Sequence, residues 1–255
     1  RARLADTAEE IAHARPTAVN LQWALKMMRG VLSGAARDDR VATAYETAAK
    51  IADDDVASCK AIGEHGARLF ADLARDKEKQ KGAAESLNIL THCNAGWLAT
   101  VDYGTALAPV YTAFDAGLDV HVWVDETRPR NQGASLTCWE LGKQGIANTL
   151  IVDNAGGHLM QQGRVDVCVV GSDRTTIDGD VCNKIGTYLK ALAADDNDIP
   201  FYVALPVSSI DFSVTTTATS VPIEERGAHE VSHLQGIDAS GVLTTVRVAP
   251  ADAAI

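Results

Sequence analysis

Ser86-Leu-Asn-Ile-Leu-Thr-His-Cys-Asn-Ala-Gly96 runs an apolar, β-prone segment straight into a turn that carries His92, Cys93 and Asn94. A thiol just beyond a buried strand, ahead of Gly96 and a helical pattern from Leu98, lies where open α/β sheets keep their chemistry. Val165-Asp-Val-Cys-Val-Val-Gly-Ser-Asp173 repeats the arrangement and ends its strand in a carboxylate. The two stretches together predict that Cys93 and Asp173 face one another across one cleft.

Working outward, further apolar runs give strands over Asn88–Thr91, Asp119–Val124, Asn148–Val152, Val165–Val170 and Phe201–Leu205. Helical patterns over Leu98–Ala116, Ala134–Lys143, Gly156–Gln162 and Cys182–Ala194 separate them. Strands alternating with helices predict an α/β fold whose mostly parallel sheet is wound by crossovers. Their near-continuous apolar character suits strands buried on both faces.

The first 75 or so residues read instead as Ala-rich helices over Thr7–Ala14, Asn20–Leu32 and Val41–Leu73, with Asp6, Thr17 and Asp39 as candidate caps. The Lys-rich stretch Asp76–Gly82 reads as a solvated linker between the helical part and the sheet, and the chain turns less regular after Asp211.

The composition limits the function. Of 255 residues, 46% are hydrophobic and 22% charged, and the net charge of −11 opposes non-specific attraction to nucleic acid or an anionic membrane. An anionic substrate therefore needs local basic groups. The five cysteines form no C-x-x-C pair, which predicts free thiols in a reducing, cytoplasmic setting. No signal peptide or membrane-length apolar run is visible, and both natural ends are expected to lie beyond Arg1 and Ile255.

The strand endings carry the chemistry. In order they are His92-Cys93-Asn94, Asp125-Glu126-Thr127-Arg128, Asp153-Asn154, Ser172-Asp173-Arg174 and Pro206-Val207-Ser208-Ser209. A parallel sheet gathers them along one edge. Cys93 lies beside turn amides that favour a thiolate, against the ordinary role of a free cysteine as a small buried hydrophobe. Asp173 reads either as a turn cap or, desolvated at a strand end, as a general acid. Asn183-Lys184, read as a helix start, offers an amide, an ammonium and free N–H groups to an anion. The loop Asp125–Gly133 packs two arginines, two acids and two amides into nine residues, and reads either as a ligand loop or as a self-satisfied salt-bridged one.

His229-Glu-Val-Ser-His233 matches the zinc-protease pattern, but Gly227 and Gly236 bracket it and leave room for barely two turns. With no G-x-G-x-x-G after the first strand and no Walker loop, neither a metal nor a cofactor is expected. A thiol, a carboxylate and anion-binding groups suit proton or hydride movement on a small phosphorylated metabolite.

Ala14-Arg-Pro-Thr-Ala-Val-Asn20, Thr91-His-Cys-Asn-Ala-Gly96, Tyr103-Gly-Thr-Ala-Leu107 and Glu126-Thr-Arg-Pro-Arg-Asn-Gln-Gly133 come in a recognisable order. They continue with Gly171-Ser-Asp-Arg174, Gly179-Asp-Val-Cys-Asn-Lys-Ile-Gly-Thr-Tyr188, Pro200-Phe-Tyr-Val203 and Pro222-Ile-Glu-Glu-Arg226. On these stretches nearly the whole chain resembles the 5-methylthioribose-1-phosphate isomerase family of methionine salvage, homologous to the regulatory subunits of translation initiation factor 2B. The resemblance implies a helical domain over residues 1–82, a Rossmann-like catalytic domain over 83–255, and a homodimer. It implies that Cys93 and Asp173 are the catalytic pair, and that Arg15, Gln132, Asn183 and Lys184 bind a sugar phosphate. The alternatives are isomerisation of ribose 1,5-bisphosphate or 5-deoxyribose 1-phosphate, and a non-catalytic regulatory subunit. The family's N-terminal Arg-Gly-Ala phosphate loop is not present. Ser172 stands where alanine is usual, and Trp97 stands where a smaller residue is common.

Overall fold

The computed structural model describes residues 2–14, 17–214, 221 and 223–255. Three helices come first: α1 (Ala2–Ala12), α2 (Val19–Gly34) and α3 (Arg40–Lys81). The expected linker over Asp76–Gly82 is instead the end of α3. Lys and Glu are good helix formers, and the Asp76–Lys79 pair at 2.8 Å spans one turn. The helix stops at Gly82, whose φ of 74° reaches the left-handed region and whose N–H donates to Glu78 O at 2.8 Å. Lys77 is not solvated either. Its Nζ donates to Asp166 Oδ2 (2.8 Å) and Ser86 O (2.7 Å), clamping the helix end to the start of the sheet. The three candidate caps fail as caps: Asp6 lies inside α1, Asp39 makes no side-chain cap bond, and Thr17 Oγ1 accepts from Glu224 N–H.

The remaining elements alternate. In order they are β1 (Leu87–Thr91), α4 (Ala108–Asp115), β2 (Val120–Asp125), α5 (Cys138–Lys143), β3 (Ala147–Ile151), α6 (Ala155–Gln161) and β4 (Val167–Val170). Then come β5 (Arg174–Thr176), β6 (Val181–Cys182), α7 (Thr187–Asp196), β7 (Phe201–Val203) and β8 (Ile210–Asp211). Five strands form one wholly parallel sheet in the order β3-β2-β1-β4-β7, with Ile89 opposite both Val122 and Val167. Alternate strand residues feed two cores. Leu87, Ile89, Val122, Val124, Val167 and Val169 pack under α3 and α4 with Phe70 and Val110, while Leu90, Trp123 and Cys168 pack with Leu159, Met160 and Ala194. Burial on both faces holds for β1 and β4. It does not hold for the edge strand β3, where Leu150 is half exposed.

Two predicted helices begin later than their apolar patterns suggest. Between Trp97 and Leu107 the chain makes a short 3-10 turn (Trp97–Ala99) and bends, with Gly104 at φ 78°, before α4 starts at Ala108 with Pro109 in its first turn. Cys182 does not start a helix: β6 pairs antiparallel with β5, and α7 waits until after Gly186 at φ 106°. The His229–His233 segment makes a single turn, α8 (His229–Ser232). His233 then opens the hairpin β9 (His233–Ile237) with β10 (Leu243–Arg247), and the two imidazoles stack at 4.1 Å. That is not the two-turn helix a zinc-protease site requires. Among the described residues no helix is long and apolar enough to cross a membrane.

Candidate active site

The chain leaves β1 towards β2 and β3 on one side, and places β4 and β7 on the other. The switch point therefore falls between β1 and β4, the place where open α/β sheets bind their ligands. Cys93 follows β1 by two residues and Asp173 follows β4 by three, so both stand at the carboxyl ends of the two strands that meet at the switch point. Thr91 Oγ1 donates to Val169 O at 2.8 Å and ties the two strand ends together.

Cys93 is half-buried and holds a φ of 69°, a conformation that costs a non-glycine residue on the order of 1–3 kcal/mol and persists only when its surroundings enforce it. Its backbone is held from both sides: the N–H donates to Thr127 Oγ1 (2.8 Å), and the carbonyl accepts from Thr137 Oγ1 (2.6 Å). The following turn closes on Glu140, a carboxylate with no exposure. Glu140 accepts from Asn94 Nδ2 (2.9 Å), Trp97 N–H (2.9 Å), Leu98 N–H (3.2 Å) and Tyr111 OH (2.6 Å). Burial, and then the Glu140 carboxylate, hold the Tyr111 phenol well above its usual range. Gly96 is required here, since a Cβ would fall 1.9 Å from Glu140 Oε2. Trp97 packs against the sheet core and tilts on Trp139 with ring centroids 5.6 Å apart.

Beneath the turn, buried His92 joins Asp125 Oδ2 through Nδ1 (2.7 Å) and Ile185 O through Nε2 (2.7 Å). Lys190, 3% exposed, lies 3.1 Å from the same Asp125 oxygen and donates to Asp153 O. His92, Asp125 and Asp153 stand close enough to hold a metal ion, but the Lys190 ammonium already faces this carboxylate, and a cation does not suit that place.

Asp173 is fixed through its backbone. Its N–H donates to Cys182 O (3.0 Å), and its carbonyl accepts from Val19 N–H (3.0 Å). Arg174 donates through Nε to Thr17 O (3.2 Å) and through Nη1 to Asp211 Oδ2 (2.7 Å). The start of α2 is thus laid across the end of β4. Arg15 lies outside the described residues.

The loop after β2 is organised by Asp153, whose carboxylate accepts the N–H groups of Thr127 and Arg128, both at 2.7 Å. Arg128 donates to Pro129 O and Val231 O, and Arg130 reaches Glu230 at 3.9 Å, so both arginines serve local ties. Among the described residues the buried Oε1 of Gln132 has no hydrogen-bond partner. Asn183 Nδ2 donates to Thr187 Oγ1 (3.0 Å), and Lys184 offers its carbonyl to Thr187. Both precede α7 by at least three residues and do not form a helix start. The His92–Ile185 bond draws their turn to the Cys93 side. Glu230 is held below the usual carboxylate range mainly by Arg226, with Arg130 and Lys184 adding to it.

Glu140 and Thr137 are absent from the sequence reading of the site, and Thr127 and Asp153 enter it only as polar strand endings with no role assigned. Glu140 had one available signal, a charged residue inside an otherwise core-facing helical pattern.

An open parallel sheet with a thiol and a carboxylate at its switch point, preceded by a helical region, defines a Rossmann-like α/β protein. The chain belongs to the initiation factor 2 subunit family, whose model matches residues 1–246. It is 62% identical over 241 residues to the methylthioribose-1-phosphate isomerase of Methylorubrum populi, covering 94% of this chain and 64% of that protein. It is 59% identical to the one from Rhodospirillum rubrum, with coverages of 92% and 60%. The solved 5-methylthioribose 1-phosphate isomerase of Pyrococcus horikoshii matches with a TM-score of 0.76 at 38% identity, over 98% of this chain and 64% of that one. Translation initiation factor eIF-2B subunit delta from A. fulgidus matches with a TM-score of 0.72 at 40% identity, over 99% and 67%. The chain spans less than two thirds of the length of these two curated relatives.

Proposed function

We propose that the protein is an aldose–ketose isomerase that converts 5-methylthioribose 1-phosphate to 5-methylthioribulose 1-phosphate, in the cytoplasm and as a homodimer. The observation that carries the reading is the pair Cys93 and Asp173 on adjacent strand ends at the switch point. The high identity to curated isomerases supports it. The helical part, residues 1–82, and the sheet part, residues 83–255, act as two domains of one enzyme.

The phosphate on the anomeric oxygen blocks ordinary ring opening. Protonated Asp173 gives its proton to the ring oxygen as the bond from C1 to that oxygen breaks, leaving a cationic C1 stabilised by its phosphate oxygen. Cys93 as thiolate then takes the C2 proton, and a C1–C2 double bond forms. The O2 hydroxyl proton returns to Asp173, the C2 carbonyl forms, and the thiol delivers its proton to C1. In the second route a hydride moves from C2 to the cationic C1 directly, Cys93 stabilises the cation, and the O2 hydroxyl proton returns to Asp173 as the C2 carbonyl forms. Both routes balance without a cofactor. Gln132, Asn183, Lys184 and Arg15 hold the sugar phosphate.

The resemblance to initiation factor 2B subunit delta at 40% identity favours a second reading, a regulatory subunit that binds phosphorylated metabolites without turnover. One assay separates them. Purified protein is offered methylthioribose 1-phosphate, ribose 1,5-bisphosphate and 5-deoxyribose 1-phosphate. Turnover of the first is expected; turnover of another alone reassigns the substrate, and binding without turnover overturns the enzyme reading. Solvent deuterium at C1 of the product supports the proton route, and its complete absence counts strongly against it.

A further inference from the structure

We propose that Glu140 is a positioning residue for Cys93: it holds the Asn94–Leu98 turn, and through it the cysteine backbone, in the conformation the reaction uses. The inference rests on the isomerase reading above.

Burying a carboxylate without a cationic partner is costly unless hydrogen bonds satisfy it. Glu140 has no exposure, and its four partners are an amide, two backbone N–H groups and a phenol. Three of those four donors belong to the turn directly after Cys93. The turn is built against the carboxylate so closely that Gly96 has no room for a Cβ.

The same helical run acts on Cys93 a second time. Thr137 lies three residues before Glu140, at the junction of the π-turn Gly133–Thr137 with α5. Its hydroxyl donates to Cys93 O (2.6 Å) and accepts from Asn94 Nδ2 (3.2 Å). Such π-turns inside helices recur at functional sites, where they shift the register of side chains. Here the register presents Thr137 and Glu140 to the cysteine turn, while Gln132 stands immediately before the run. One rigid element therefore sets the spacing between the thiol and a residue proposed to bind the sugar. The bond from Tyr111 is different: it comes from α4, away from the turn, and serves only to satisfy the carboxylate.

That difference makes the test. Glu140→Gln keeps the shape but turns an NH2 group towards N–H donors, so at least one turn donor loses its acceptor. Its kcat is expected to fall about 100-fold with KM for methylthioribose 1-phosphate within about threefold, the signature of a displaced reacting group. Alkylation of Cys93 by iodoacetamide, followed by peptide mass without substrate, should change rate about fivefold or more in the same variant. Tyr111→Phe should leave kcat and the alkylation rate within about twofold of wild type. Should Glu140→Gln fail to fold, Thr137→Val is expected to move kcat and alkylation in the same direction. Wild-type values in Glu140→Gln, or equal losses in Glu140→Gln and Tyr111→Phe, overturn the proposal. Absence of turnover in the wild type overturns the isomerase reading instead, and the alkylation comparison still decides the role of Glu140.

Discussion

His92 Nδ1 lies 2.7 Å from Asp125 Oδ2, and neither side chain has any exposure. Because Ile185 O, 2.7 Å from Nε2, can only accept, Nε2 carries a hydrogen. Burial pushes the Asp125 carboxyl up, opposed by its hydrogen bond to His92 and the charge of Lys190. These contacts knit the ends of β1 and β2 to the Asn183–Gly186 turn.

Lys190→Met removes a counter-charge from that pair while filling a similar volume. Breaking a buried pair from one side costs about 3–5 kcal/mol, and denaturant titration should show a loss of that size. Unchanged stability would mean that Asp125 is neutral in the native protein.

Cys93→Ser and Asp173→Asn bear on the proposed acid–base pair directly. Each is expected to lower kcat by about 100-fold or more while KM stays within a few-fold, since both groups act on reacting atoms. Steady-state kinetics check this, and near-normal kcat in either variant removes that residue from the mechanism. Cys59 and Cys168, whose thiols burial pushes up to about 11 and about 12, should resist alkylation in the native protein.

Lys184→Ala and Gln132→Ala should act on binding. A lost hydrogen bond to a charged group is worth about 1.5–3 kcal/mol, so Lys184→Ala should raise KM about tenfold or more with a smaller change in kcat. Gln132→Ala removes a buried acceptor that has no partner among the described residues, and should weaken binding with little loss of stability. Titration calorimetry with the substrate reads both.

Arg174 and Asp211 join β5 to β8 beside Asp173 at 2.7 Å. The Asp211 carboxyl is held below its ordinary value of 3.8, first by the Ser213 hydroxyl and further by Arg174. A depressed carboxyl contributes stability that is complete above the unfolded value and fades as pH falls through the folded one. Asp211→Asn should therefore lower Tm by about 2–4 °C at neutral pH. The gap from wild type should close as pH drops below 3.8. A gap independent of pH would mean that the charge plays no part.

The strands were legible because burial on two faces writes itself locally, as runs such as Val167–Val170 and Val120–Val124. The polar edge was legible for the same reason: each run stops at polar residues, and parallel strands put those stops on one side. The Lys-rich end of α3 read as solvent-facing because the acid that buries Lys77 comes 89 residues later. Cys182 read as helical because β6 exists only through its pairing with β5.

Sequence alone determined the α/β class, the succession of strands and helices along the sheet part of the chain, and the place of Cys93 and Asp173 just beyond strand ends, because period and polarity are properties of neighbouring residues. Tertiary structure decided what surrounds them. The carboxylate of Glu140 meets its turn across 42 to 46 residues, His92 meets Ile185 across 93, and Arg174 meets Thr17 across 157. No local pattern encodes such pairs, since each depends on which strand lies beside which and on the register in which they are held.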